Sequence, residues 1–284
     1  MSIIQSGNII ELYAALGIVK HPESNIFVVN PSVTSFTLQN AIDASTAGKG
    51  DVILLLSGGN TVTETVNFNK SGINVVAVNR GLSPLISGEF FSILADASFT
   101  DGPVAKITAP CRIIGVGFAG RDTGATFFSG AACLIGGNGD AAPFGVQMKN
   151  CRFPKWGLDN RIGLSIEGSS DCLIEECIFE GVGADFDAGI YVQGACQNLI
   201  IRNNYFRQCT AAIQTGAFAG GGPHVFIHEN FVEDGKLLDT QGNTGNGLIA
   251  GNFLETATDT ASYDAAVATL QANGWQFSGN HYSE

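Results

Sequence analysis

An eight-residue pattern recurs six times in the second half of this chain, and a repeat of that kind limits the fold before any single element is assigned. The copies are VQMKNCRF from Val146, CLIEECIF from Cys172, LIIRNNYF from Leu199, VFIHENFV from Val225, GLIAGNFL from Gly247 and WQFSGNHY from Trp275. Their sixth positions are Cys151, Cys177, Asn204, Asn230, Asn252 and Asn280, spaced 26, 27, 26, 22 and 28 residues apart. A diverged copy, CRIIGVGF, starts at Cys111. Between the copies runs a second series of short segments ending in glycine: IGLSIEG at Gly168, AGIYVQG at Gly194, AAIQTG at Gly216 and KLLDTQG at Gly242. Each unit therefore carries the same succession of short strands and turns.

A unit that small cannot bury its own apolar side chains, so the units must stack. The strands lie too close together for intervening helices. Stacked in parallel about 4.8 Å apart, they form a β-solenoid. The sixth positions then line one inward corner, where Asn204, Asn230, Asn252 and Asn280 bond rung to rung as an amide ladder. Cys151 and Cys177 continue the column as small structural thiols. Alternation turns Met148, Ile174, Ile201, Ile227 and Ile249 inward, with Phe153, Phe179, Phe206, Val232 and Leu254 after the corner. Lys149, Glu175, Arg202 and His228 face outward as a charge ladder. Two outward rows are apolar: Leu173, Ile200, Phe226 and Leu248, and Ile178, Tyr205, Phe231 and Phe253. Stacked rows of that kind make a patch that a soluble monomer rarely leaves bare.

Composition agrees with closely spaced strands. Glycine contributes 37 of 284 residues and charged residues only 14%, which favours tight turns and excludes a disordered chain. The net charge of −12 opposes phosphate backbones and anionic lipid, so neither nucleic acid nor a membrane is an expected partner. Seven cysteines, an odd number without small-domain spacing, read as free buried thiols. Asn8 and Glu11 interrupt the first apolar residues with no preceding Lys or Arg, which argues against a secretory leader. No window approaches 18 consecutive apolar residues.

The first part reads as an N-terminal attachment or capping segment, residues 1–30, before a β-helix domain at 31–284. Phe36, Leu38, Ala41 and Ile42, after Ser35 as cap, predict one short helix ending by Gly48 and covering the open end of the solenoid. GDVILLLSGG and SGINVVAVN predict the first strands, and DTASYDAAVATLQAN from Asp259 a second helix stopped by Gly274. Together FTLQNAIDAS, GDVILLLSGG, KSGINVVAV and the NNYF, HENF and AGNF rungs resemble the right-handed parallel β-helix family, also called pectate-lyase-like, over residues 31 to 282. That family includes polysaccharide lyases and hydrolases, phage tailspikes and structural proteins of phage particles.

The resemblance implies one of two readings, because a fold alone does not fix a function. A lyase of this family carries acidic calcium ligands and a Lys or Arg base on one face. The nearest candidates are Glu175, Glu176, Glu180, Asp185 and Asp187, with Arg202 and Arg207 a rung later; of these Asp185, Asp187, Glu180 and Arg202 form the catalytic alternative. Glu233, Asp234 and Asp239 offer another carboxylate set. Such charges also form ordinary cross-rung pairs. His224 and His228 lie on one strand rather than one helical turn and do not converge on an ion, and the glycine loops at Gly136, Gly216 and Asp239 lack a phosphate-loop Lys-Ser or Lys-Thr. The leading expectation is a noncatalytic phage-particle protein, a trimeric capsid decoration or other virion surface component assembled in the host cytoplasm. No cofactor or metal is expected. Its interface residues are Leu173, Ile200, Phe226, Leu248, Tyr205 and Phe231, and its partners are copies of itself and a major capsid or other virion protein. The alternative is a tailspike-like depolymerase or a β-helix that binds bacterial surface glycan.

Overall fold

The computed structural model describes residues 23–56, 58–78, 91–96, 98–99, 102–120, 131–137, 143–156, 161–182, 186–216, 224–240, 246–255 and 267–283. Their strands form three parallel sheets of ten, nine and seven strands, here sheets 1, 2 and 3. From Val52 to Glu255 the chain visits them in the same order on each coil, for example Cys111–Ile114, Val116–Ala119 and Ala131–Gly136. Each strand pairs with the strand one coil on, so the predicted solenoid is the observed architecture. Sheet 1 begins earlier than the sequence suggested. Ile26–Val29 pairs in parallel with Val52 through Leu55, so the solenoid starts inside the segment read as 1–30; residues 1–22 lie outside the described residues.

The repeat fixes the register. Met148 faces Ile174, which faces Ile201, then Ile227 and Ile249, and all five are fully buried. Phe153, Phe179 and Phe206 stack ring on ring inside sheet 2, with centroids 4.6 and 4.9 Å apart and planes within 9°. Opposite this stack the chain has glycine for room: a Cβ on Gly163 lies 2.8 Å from Phe179, and one on Gly189 lies 2.7 Å from Phe206. The glycine-ended series supplies sheet 3, as Ile162–Glu167, Phe186–Gln193, Cys209–Thr215 and Lys236–Asp239.

The predicted corner is also present. Asn204 Nδ2 donates to Asn230 Oδ1 at 3.0 Å, Asn230 to Asn252 at 3.0 Å, and Asn252 to Asn280 at 2.9 Å. The other amide hydrogen bonds the carbonyls of Ile174, Ile201, Ile227 and Ile249 in turn. Cys177 and Cys151 replace the amide with a thiol aimed at the equivalent carbonyls, Met148 at 3.8 Å and Ile113 at 3.6 Å. The residue before each ladder position is left-handed: Gly115, Asn150, Glu176, Asn203, Glu229, Gly251 and Gly279 all have φ between 53° and 74°. That conformation turns the chain from sheet 1 into sheet 2 within one residue.

The N-terminal helix α1 spans Leu38–Ala44, and Thr37 rather than Ser35 is its cap. Thr37 Oγ1 accepts from the Asn40 amide while Asn40 Oδ1 accepts from the Thr37 amide, a reciprocal box that Ser35 is too far upstream to make. Leu38, Ala41 and Ile42 are buried in the main core. Residues 267–272 are helical and stand where a strand of sheet 3 is due; Gly274, at φ 95°, follows them.

Candidate functional site

The carboxylates singled out in sequence fall into ion-paired rows on separate sheets. On sheet 1, Glu175 takes Arg202 at 2.7 Å and Lys149 at 3.3 Å, and Lys149 also reaches Glu176 at 2.9 Å. On sheet 2, Glu180 holds Arg152 at 2.7 Å and Arg207 at 3.6 Å, and Arg207 reaches Glu233 at 3.5 Å. Tyr205 donates its hydroxyl to Glu233 as well. Burial and that carboxylate together push the Tyr205 phenol well above its ordinary range. Asp187, at the start of a sheet 3 strand, is bound to Arg161 at 2.5 Å. Asp185 lies outside the described residues.

Glu180, Asp187 and Arg202 therefore stand on three different sheets, each already neutralised. No acid and base converge among them. Burial alone raises the Glu175 carboxyl, but hydrogen bonds and charge from Arg202 and Lys149 outweigh it and hold the group below the usual carboxylate range. An ionised, paired glutamate of that sort serves as a strut and not as a proton donor.

The apolar rows are outward as predicted. Leu173 pairs with Ile200, Ile200 with Phe226 and Phe226 with Leu248. Ile178, Tyr205, Phe231 and Phe253 form the companion row across the corner. Phe226 is 42% exposed and Phe253 38%, while Leu173, Ile200, Leu248, Tyr205 and Phe231 are half-buried and Ile178 is buried. Tyr205, Phe231 and Phe253 stack with centroids 5.6 and 5.1 Å apart. Their ring faces are taken up by one another, leaving chiefly edges toward solvent. Such a column offers apolar contact to a flat partner but few free faces for a sugar ring.

One face escaped the sequence reading. On the outside of sheet 3, Lys106, Leu134, Ser165, Tyr191, Gln214 and Asp239 form one continuous row. Ser165 is fully buried and Gln214 only 7% exposed, although neither belongs to the main core. Beside them Ala131, Ile162, Ala188 and Tyr191 make a separate apolar cluster. Ser165 Oγ, Gln214 Oε1 and Glu167 Oε2 are buried without a hydrogen-bond partner, a costly condition that marks a place for a bound polar molecule or ordered water. Burial raises the Glu167 carboxyl, against a partial opposing pull from Lys106. Burial, with Glu167, also raises the Tyr191 phenol.

The remaining motifs carry less. His224 is exposed and His228 half-buried, its Nδ1 3.5 Å from Glu229. Among the described residues no three His, Cys, Asp or Glu side chains gather as metal ligands. All seven cysteines are free and buried, and burial pushes Cys111 and Cys172 up to about 12 and Cys196 to about 11; neutral thiols of that kind are poor nucleophiles. A shallow groove of about 310 Å³ near α1 is lined by Thr37, Gln39, Asn60, Thr61 and Glu64 among others. Its single carboxylate has no basic group beside it in that lining. Most of the loops at Gly136, Gly216 and Asp239 lies outside the described residues.

Three parallel sheets closed around a ladder corner define the β-solenoid class. Residues 132–283 match the family model for the right handed beta helix region, and the chain belongs to that family. No curated protein matches the chain in sequence. Among solved structures it is similar to a mannuronic acid specific polysaccharide family 6 lyase from human gut microbiota, with TM-score 0.60, 13% identity and 91% of this chain covered. The chain spans 59% of that enzyme's length. An alginate lyase from Paenibacillus sp. str. FPU-7 gives TM-score 0.53, 14% identity and coverage of 92% and 98% of the two chains. The pectin methylesterase of Aspergillus niger gives 0.52, 13%, 92% and 86%. At these identities the likeness is one of fold, and the fold carries both lyase and esterase names.

Proposed function

We propose that this chain is a noncatalytic structural protein of a phage particle, a surface component that associates with copies of itself. The observation that carries the self-association is the pair of outward apolar rows flanking the asparagine corner, half-buried for the most part and exposed at Phe226 and Phe253. Ile200 and Tyr205, Phe226 and Phe231, and Leu248 and Phe253 stand five residues apart across the corner on three successive coils. A closed ring whose axis runs along the solenoid has no axial shift, so one copy's Ile200 row meets the next copy's Tyr205 row at equal height. Glu175, Glu180, Arg202, Arg207 and Glu233 beside these rows are already paired within the chain and need no partner from a neighbour. A threefold ring is the form we assign, with a capsid or other virion protein as the second partner. The virion setting comes from the resemblance of the whole solenoid to phage structural proteins of this family.

Ile200→Asp with Phe226→Asp tests the assembly. The double variant is expected to run as a single chain in size-exclusion chromatography with light scattering, its β-rich circular dichroism unchanged. An unaltered mass rejects these rows as the interface.

A second reading has its own support. The sheltered row holds two unpartnered polar atoms, Ser165 Oγ and Gln214 Oε1, beside the apolar cluster of Ala131, Ile162, Ala188 and Tyr191, a combination that suits a carbohydrate. Incubation with acidic and neutral bacterial glycans, followed by assays for reducing ends and unsaturated products, separates the two. Cleavage or saturable binding lost in Tyr191→Phe and Gln214→Ala would place the carbohydrate-active reading first.

A further inference from the structure

We infer that Cys151 and Cys177 are a latent redox staple, two thiols placed to join successive coils by a disulfide when the protein meets an oxidising thiol-disulfide buffer. The inference is independent of the assembly proposed above. Arg152 pairs with Ile178, and the Ile178 amide donates to the Cys151 carbonyl at 2.9 Å. The two cysteines that precede these residues therefore face one another on adjacent coils. Both thiols are buried and free, each aimed at a backbone carbonyl of the coil before. Strands stacked about 4.8 Å apart put the two Cα atoms inside the range of about 4.4 to 6.8 Å that a disulfide spans. Among the described residues no other two cysteines share a column on adjacent coils. Cys111 and Cys172 share one, with Val146 between them.

The pair also sits where the amide ladder stops. Asn230, Asn252 and Asn280 each accept from both the backbone amide and the side-chain amide of the coil before. Asn204 accepts from the Cys177 backbone alone. The coils at Cys151 and Cys177 thus have no side-chain amide link, and a covalent one fits in its place.

The reaction balances with a small disulfide such as oxidised glutathione as oxidant. One cysteine thiolate attacks the glutathione disulfide, whose S–S bond breaks, giving a mixed disulfide and one glutathione thiol. The second cysteine attacks the protein sulfur of that mixed disulfide, forming the Cys151–Cys177 bond and releasing the second glutathione thiol. The two cysteine protons leave on the two glutathione molecules. Both thiols are buried, which makes exchange in the folded state slow, so the staple closes during folding or on local opening of the corner.

The 284-residue chain, reduced and unfolded, should be refolded in parallel in reducing and in oxidising glutathione buffers, blocked with iodoacetamide and digested without reduction. The expected result in the oxidising arm is a peptide linking Cys151 to Cys177, two hydrogens lighter than its reduced parts. The thermal midpoint should then be higher by roughly 5 to 10 °C, and reductant should reverse the gain. Cys133→Ser should keep both the link and the gain, whereas Cys151→Ser and Cys177→Ser should lose both. Folded protein with both thiols alkylated after oxidising refolding overturns the inference. So does a link from either residue to Cys111 or Cys133 in place of the Cys151–Cys177 bond.

Discussion

At the residue scale the molecule depends on what an asparagine does at an inward corner. Asn230 is buried and satisfies four neighbours at once: the Asn204 backbone and side-chain amides, the Ile201 carbonyl and the Asn252 side-chain oxygen. Removing one partner leaves every other group desolvated and unpaired, which costs more than the bond itself is worth. Asn230→Ala is therefore expected to destabilise by about 3 kcal/mol or more, measured by urea unfolding. Asn280→Ala, at the last rung and half-buried, should cost about 1 kcal/mol; equal effects would contradict the ladder account. The asparagines were legible because their side chain and spacing recur. The left-handed residue before them was only half legible. Gly115, Asn150, Asn203, Gly251 and Gly279 signal it, but Glu176 and Glu229 occupy the same conformation, and no glutamate announces a positive φ.

At the scale of elements, register decides what each side chain meets. The Phe153, Phe179 and Phe206 stack needs a neighbour without a side chain, and Gly163 and Gly189 supply it. Gly189→Ala puts a methyl group 2.7 Å from the Phe206 ring and 2.9 Å from the Ala212 carbonyl, where backbone cannot yield. It should cost about 1 to 3 kcal/mol, read as a lower thermal midpoint; an unchanged midpoint would mean the stack has slack. The charge rows behave differently. The Glu175 carboxyl is held below its usual range, so the folded state favours its ionised form. Its contribution is present above the unfolded value of 4.5 and is lost as pH falls through the lower folded value. Arg202→Ala should shrink the loss of stability seen on acidification below pH 4.5; an identical acid limb in the variant would show the pair to be idle. Sequence placed Lys149, Glu175 and Arg202 in one column because the repeat aligns them. It did not find that Arg152 and Arg207 bracket Glu180, since Arg152 belongs to the neighbouring column and meets Glu180 only through the length of its side chain.

The sheet 3 face was missed for a related reason. IGLSIEG, AGIYVQG and AAIQTG contain few polar residues and no clean alternation, so Ser165, Tyr191 and Gln214 do not stand out as an outward row until the strands are in register. Two of the catalytic candidates from sequence, Glu180 and Asp187, proved to be paired, and three of the buried polar atoms without a hydrogen bond, on Ser165, Glu167 and Gln214, lie on the face that no motif marked. A repeat reveals what is the same on every coil. A site is built from what differs between coils.

At the scale of the whole molecule, a solenoid of continuously paired coils is a stiff rod whose remaining freedom lies in how its faces are covered. The outer face of sheet 1 changes along the axis. Val52, Leu54, Val76 and Ile114 form a buried outer cluster on the early coils, whereas Ile200, Phe226 and Leu248 leave apolar surface open on the later ones. In the assembly proposed above that open surface is buried between copies, which sets the mass expected in solution. Light scattering on the eluting 284-residue chain should give three times 29.6 kDa, or 88.8 kDa. A mass of 29.6 kDa across the accessible concentration range would contradict the account and leave the sheltered row on sheet 3 as the feature around which function must be sought.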